Sequence, residues 1–143
     1  VNLRLGDVMP LLTSATGRCF AAHAPVDAIT PLLAEELALQ GRRPHANTPD
    51  NQDAVQHMLA EVRARLPQEK LELRARGLAR AVDSLLPAVS GFCAPVFDFD
   101  GHMVLGIIAM GSMAEFDSDW DGPIATTLRA AAHKLSVDLG YQR

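Results

Sequence analysis

The sequence predicts an α+β domain in which helices pack against one largely antiparallel sheet. The predicted elements follow one another in the order strand, helices, strands and helix. A long apolar stretch, residues 91–112, is broken only by Asp98–Phe99–Asp100–Gly101, which is typical of two β-strands joined by a tight turn. Since 143 residues are enough for one core, we expect a single domain over 1–143.

The first part of the chain is predicted to be mainly helical. Capping residues, apolar residues at helical spacing and Pro or Gly stops delimit its elements. The segment over 2–13 is predicted to be a short strand, a turn at Gly6–Asp7 and another extended piece. After it we expect a helix over 15–23 behind the N-caps Thr13 and Ser14, a helix over 26–40 that ends at Gly41, and a loop over 42–50.

A further helix is predicted after this loop, because apolar residues again recur at helical spacing. This stripe consists of Val55, Met58, Leu59 and Val62. Pro67 is expected to break the helix, and a second short helix then ends at Gly77. The arginines of this segment form either a solvated surface or a contact with a partner subunit. They are Arg63, Arg65, Arg74 and Arg76.

The rest of the chain is predicted to form the sheet and a closing helix. A strand is expected over 78–82 and a turn or loop after it, followed by the hairpin. The closing helix is expected over about 121–139, with Gly140 as its cap.

Both faces of the predicted hairpin are apolar, because side chains alternate along each arm. One face carries Val89, Gly91, Cys93 and Pro95 on the first arm and Val104, Gly106, Ile108 and Met110 on the second. Both faces must therefore be covered by helices, a partner subunit or a small-molecule cavity. Gly91 and Gly106 indicate close approach of another group, either a ligand or a packed helix.

Composition and charge exclude several classes of protein. Hydrophobic residues make up 48% of the chain and charged residues 21%, which is typical of a folded domain. The net charge of −4 argues against binding of nucleic acid by this segment alone. We expect a cytoplasmic protein without membrane contact, because the sequence has no span of roughly 20 apolar residues, no signal peptide and no disulfide framework.

Three segments resemble the effector-binding domain of IclR-type bacterial transcriptional regulators. They are MPLLTSATGRCFAAH over 9–23, GFCAPVFDFDGHMVLGIIAMGS over 91–112 and the helix end LSVDLGY over 135–141. The resemblance covers nearly the whole chain and keeps the order of the family's motifs. It implies a GAF-like, profilin-like fold, with a curved antiparallel sheet, helices packed on its outer side and a ligand pocket on the other. It also implies homo-dimers or tetramers, and an N-terminal winged helix-turn-helix, absent from this chain, that binds operator DNA.

The same resemblance implies a pocket for a small-molecule effector, without a cofactor or a metal. Its residues are Met9, Ala15, Thr16, Gly17, Val89, Gly91, Cys93, Ile108 and Met110. Helix-start amides at 15–17 can receive a carboxylate. Some members of the family that bind small oxo-acids carry serines at the positions of Ile108 and Met110 and a cysteine at that of Gly91. The apolar residues here imply a larger or more apolar acid, aromatic or alicyclic. Cys93 either lines the cavity or is a small core residue.

Two other functions compete with effector sensing. An enzyme could use Cys93 with His102, or Asp98 with Asp100, but the cysteine lacks an activating context and the aspartates suit a turn. The histidines also lack metal-binding spacing, so we do not expect catalysis. The alternative is an oligomerisation module without a ligand, whose cavity is filled by its own side chains. The candidates for this filling are Met110, Ile108 and Phe92.

Overall fold

The computed structural model describes residues 3–40 and 49–142. Four helices and three strands occupy this described part of the chain, and the fold is α+β as predicted. In chain order they are α1 (Ala15–His23), α2 (Val26–Gln40), α3 (Pro49–Arg76), β1 (Ala79–Val82), β2 (Val89–Phe97), β3 (Met103–Ser112) and α4 (Pro123–Asp138).

The three strands form one antiparallel sheet in the order β1-β2-β3. Gly91 lies opposite Met110 and Cys93 opposite Ile108, so these four residues share one face as predicted. Val104, predicted on the same face, is not in the register, since Met103 lies opposite Phe97 in its place. The register shifts at Val96/Phe97, just before the turn. β2 is central and buried, whereas β3 pairs only with β2 in the described residues and exposes much of its apolar surface.

Helices cover the two faces of the sheet with different kinds of side chain. α4 packs on the face that carries Phe92, together with Phe116 and Trp120. α1 packs on the face that carries Cys93, where the buried residues are all small. That second cluster consists of Ala15, Cys19, Ala79, Ala81 and Cys93. The backbone of α1 therefore lies close to the strands.

α2 and α3 form a separate core on the far side of α1. Its buried residues are Ala21, Ile29, Leu33, Leu37, Leu59, Val62 and Leu66. Leu59 and Val62 confirm the predicted apolar stripe of α3, although Met58 is 40% exposed. Within the described residues, no helix is both long and apolar enough to cross a membrane.

The prediction of a helix break at Pro67 is wrong, because α3 runs continuously through this residue. Proline removes one backbone donor from the helix. Tertiary contacts on both sides of it hold the helix in place: Leu66 is in the core, Lys70 Nζ donates to the carbonyl of Ala24, and Arg74 Nε donates to that of Ala22. These contacts outweigh the local preference for a break.

The predicted N-terminal strand is also wrong, since residues 3–13 contain no strand. The turn predicted there does form: Asp7 N donates to the carbonyl of Arg4 at 3.1 Å, and Arg4 N donates to the Asp7 carboxylate at 2.8 Å. The predicted loop over 42–50 lies mostly outside the described residues, and its last two residues already begin α3.

Replacing Pro67 with alanine is expected to raise the free energy of unfolding by up to about 3 kcal/mol, because it restores a backbone donor within a continuous helix. The midpoint of urea unfolding measures this change. Ala64→Gly, one turn earlier on the same exposed surface, is the matched control and should lower stability by about 1 kcal/mol. A loss of stability with Pro67→Ala and no effect of Ala64→Gly would mean that the helix is interrupted here.

Candidate ligand-binding site

The start of α1 is fixed to the preceding loop by Ser14. The Ser14 hydroxyl accepts a hydrogen bond from Gly17 N at 2.8 Å and donates to the carbonyl of Pro10 at 2.6 Å. A Cβ at position 17 would lie 2.0 Å from that carbonyl oxygen, so only glycine fits. The cap also occupies the Gly17 amide, which is therefore not available to an anion. The structure gives Gly17 a packing role, and its part in ligand binding stays a prediction.

Thr16 and Arg18 lie on opposite sides of α1. Arg18 Nη1 donates to the carbonyl of Arg80 in β1, which places this side of the helix against β1. Residues two apart are separated by about 200° around a helix, so Thr16 lies on the side toward β3. The Thr16 hydroxyl is buried and forms no hydrogen bond of good geometry among the described residues, although it lies near the weakly hydrogen-bonding Cys93 thiol.

Two buried thiols lie beside Thr16, Cys19 on α1 and Cys93 on β2. Contact with the Cys93 thiol, and then burial, raise the pKa of Cys19. The pKa of Cys93 is lowered, mainly by contact with the Cys19 thiol. Burial opposes this shift, and the nearby Thr16 hydroxyl adds to it. Both side chains are almost completely inaccessible, which does not suit a nucleophile.

The other residues of the enzyme hypothesis are also separated. His102 lies in the exposed turn, six residues along β3 from the residue opposite Cys93, or roughly 20 Å away. Asp98, Asp100 and His102 do bring one ligand atom each within 4.8 Å of one another. However, the Asp98 carboxylate accepts hydrogen bonds from the amides of Asp100 and His102, as the sequence predicts for turn chemistry.

An open apolar surface adjoins Thr16 on the same face of the sheet. Ile108, opposite Cys93, is 45% exposed, and Met9 and Met110 are partly buried. The Met110 side chain lies over Gly91, since a Cβ there would be 3.3 Å from Met110 Cγ. A single polar group thus lies beside an exposed apolar surface, which is the composition of many small-molecule sites.

The two glycines of this face have different roles. A Cβ at Gly106 would lie 2.6 Å from Cys93 Sγ, so Gly106 makes room for a buried thiol of the core. A Cβ at Gly91, in contrast, would meet mainly the flexible Met110 side chain, with the Ala109 carbonyl oxygen at 3.5 Å. Phe92 points to the α4 face, so of the three proposed cavity-filling side chains only Ile108 and Met110 lie on this face.

The structure brings most of the predicted site residues together where α1 meets the sheet. Sequence reasoning missed the β1 residues Ala79 and Ala81, which lie opposite Cys93 and Gly91, as well as Cys19. The register of β1 against β2 places Ala79 and Ala81 in this site. A turn motif predicts the register of the hairpin, but no such motif joins β1 to β2, so the register of β1 could not be predicted.

Two well-formed cavities lie elsewhere, and none of the nine predicted site residues lines either of them. The first has a volume of about 400 Å³ and lies between α1, α3, β1 and Trp120. The second, of about 490 Å³, lies between the end of α1, the hairpin turn and α4, and is lined by His23, Arg74 and His133 among others. Burial, followed by the charges of Arg74 and Lys70, lowers the pKa of His23 to about 4.

Comparison with solved structures shows which known domains this arrangement is similar to. HmgR of Pseudomonas aeruginosa is 31% identical with a TM-score of 0.73, over 98% of this chain and 49% of that chain. IclR of Thermotoga maritima is 23% identical with a TM-score of 0.67, over 96% and 50%. The C-terminal domain of the E. coli transcriptional regulator KdgR is 19% identical with a TM-score of 0.65, over 95% and 74%.

This chain therefore spans about half the length of HmgR and of the Thermotoga protein. No protein-family model and no curated protein matches the sequence. The predicted resemblance to the effector-binding domain of IclR-type regulators is confirmed, and the domains that share this fold include transcriptional regulators.

Lowering the pH from about 6.5 to about 4 is expected to destabilise the domain through His23. In this window the unfolded chain binds a proton at this histidine and the folded chain does not, so protons favour unfolding. Urea unfolding of the wild type and of His23→Gln between pH 7 and 5 measures the effect. The stability of the wild type should decline more steeply than that of the variant. Parallel curves would show that His23 ionises normally in the folded domain.

Proposed function

We propose that this chain, whose fold is that of the C-terminal domain of IclR-type transcriptional regulators, senses a small organic acid within such a regulator. The acid binds between the start of α1 and the exposed part of the sheet. Its binding changes how the whole protein, a cytoplasmic dimer or tetramer, holds operator DNA through a separate N-terminal winged helix-turn-helix. The domain itself performs no catalysis.

The Thr16 hydroxyl is the observation that carries this proposal. The Thr16 hydroxyl is buried and forms no hydrogen bond of good geometry, and the Cys93 thiol beside it is only a weak partner. Such a hydroxyl costs up to about 3 kcal/mol, and a ligand that hydrogen-bonds it recovers part of this free energy. The hydroxyl belongs to the first turn of α1 and lies beside Cys93 of β2. The partial positive charge of the helix N-terminus favours a carboxylate there. Thr16 and the neighbouring Ala15 therefore orient the polar end of the acid.

The apolar end of the acid lies over Gly91 and the β3 residues Ile108 and Met110. β3 contains no charged residue over its whole length, so an aromatic or alicyclic group is favoured over a second polar group. The flexible Met110 side chain now lies over Gly91 and can move aside for such a ring. Met9 and Val89 border this surface and Cys93 forms its floor.

The oligomerisation module remains the second candidate, and the position of Met110 favours it. If Met110 fills the space over Gly91 permanently, the surface has no room for a ligand and serves packing alone. The two functions differ in one property, because only a sensor is stabilised by a small molecule.

A thermal-shift screen with aromatic, alicyclic and short oxo-acids tests the sensor. An acid at about a hundred times its Kd should add about 2.7 kcal/mol to the free energy of unfolding. We expect the aromatic or alicyclic acids to be the active class. No shift with any class of acid would support the oligomerisation module.

Two variants then locate the site. Thr16→Val keeps the shape of the side chain but removes the hydroxyl, and Ile108→Asp places a negative charge beside the apolar end. Each is expected to weaken binding about tenfold or more, equivalent to at least about 1.4 kcal/mol. Val104→Asp is the control on the same strand, because Val104 is 49% exposed and lies four residues from Ile108. Equal weakening by Ile108→Asp and Val104→Asp would refute the proposed placement.

A further inference from the structure

The first cavity, of about 400 Å³, has the size of a small-molecule site and lies on the side of α1 away from the surface described above. Its wall is apolar on one side, where Leu11, Leu33 and Leu66 line it. The other side is cationic. Arg76 and Arg80 lie over the ring of Trp120, and Arg18 donates to the carbonyl of Arg80. The cavity therefore joins a cationic surface to an apolar one.

The cavity has an excess of positive charge in a protein with a net charge of −4. Five cationic side chains line it, against the two carboxylates of Glu69 and Glu72. None of the five forms an ion pair within 4 Å in the part of the chain that the structure describes. Glu69 lies near enough to favour the charged form of Arg18, while burial lowers the pKa of that guanidinium. This positive charge is therefore only partly compensated.

The guanidinium groups are already held in place. Arg18 Nε donates to the carbonyl of Leu12 at 2.8 Å and its Nη1 to that of Arg80 at 2.6 Å. Arg80 Nη1 donates to the carbonyl of Ser118 at 2.8 Å. Carbonyl partners fix these groups without neutralising their charge, so little entropy is lost when an anion binds them.

Trp120 completes the arrangement as a platform for two cations. The guanidinium carbons of Arg76 and Arg80 lie 4.4 and 4.3 Å from its ring centroids. These contacts orient the arginines by cation–π attraction and do not neutralise the charge of Arg76.

We propose that this cavity is a second small-molecule site, which binds the carboxylate of an organic acid against its arginines and the apolar body of that acid against its leucines. The site is separate from the effector site proposed above and does not depend on it. Arginine forks match the geometry of a carboxylate, and the apolar wall rewards a ligand with a hydrophobic body.

Fluorescence of Trp120 tests this proposal directly, because it is the only tryptophan of the chain. Benzoate is the probe, with acetate as a carboxylate that lacks an apolar body and inorganic phosphate as a different oxyanion. We expect a saturable change with benzoate and at least about tenfold weaker binding of acetate and phosphate, a difference of about 1.4 kcal/mol. Chloride at equal ionic strength controls for screening.

Arg76→Gln and, separately, the exposed Arg65→Gln should weaken benzoate binding about fivefold or more, as judged by Kd rather than by fluorescence amplitude. Arg63→Gln is the matched control, because Arg63 is exposed on the same helix but does not line the cavity. Ile108→Asp should leave this binding unchanged, although it weakens binding at the effector site.

Three results would overturn the proposal. The first is no saturation of the fluorescence change up to about 10 mM benzoate, which corresponds to a binding free energy weaker than about 3 kcal/mol. The second is that acetate or phosphate binds as tightly as benzoate. The third is that Arg63→Gln weakens benzoate binding as much as Arg76→Gln does. Weakening by Ile108→Asp alone would instead place benzoate at the effector site, which supports the proposed function while refuting the second site. Each variant's urea midpoint confirms that it is folded.

Discussion

The apolar central strand β2 is the constraint on which the rest of this domain depends. β2 is buried from Ser90 to Val96 and is paired on both edges, so both of its faces must be covered. α4 covers one face with large side chains around Phe92, and α1 covers the other through small residues around Cys93. The small side chains bring α1 close to the sheet, and the β3 edge of this second face, around Ile108, stays exposed.

The close contact of α1 with the sheet also fixes the rotation of this helix. Ala15 and Cys19 must face the strands, because a larger residue would not fit there. Residues between them are thereby directed to the two sides, with Thr16 toward β3 and Arg18 toward β1. Ser14 and Gly17 anchor the start of the helix to Pro10, so this rotation is set before any ligand arrives. The rotation of α1 therefore produces two chemically different surfaces, one beside Thr16 and one beside Arg18.

Strong local signals made much of this fold predictable from the sequence. Ser14 as an N-cap and the Asp100–Gly101 turn fixed α1 and the hairpin register, and the register alone placed Gly91, Cys93, Ile108 and Met110 on one face. Prediction failed where tertiary contacts decide. Pro67 is tolerated because α3 is packed on both sides of it, and the role of Gly106 depends on a thiol from another strand. The cationic cavity could not be predicted either, since its residues are distant in sequence.

The arginines of α3 show that the role of a charged residue depends on its position in the fold. The sequence allowed a solvated surface or a partner contact for all four. In the structure all four are exposed, but Arg65 and Arg76 also line the first cavity and Arg74 donates to the carbonyl of Ala22, whereas Arg63 has neither role. Salt largely screens charges on an exposed helix, whereas a cavity with low-dielectric walls concentrates their potential. In a chain with a net charge of −4, a cationic concavity therefore attracts anions that the rest of the surface repels.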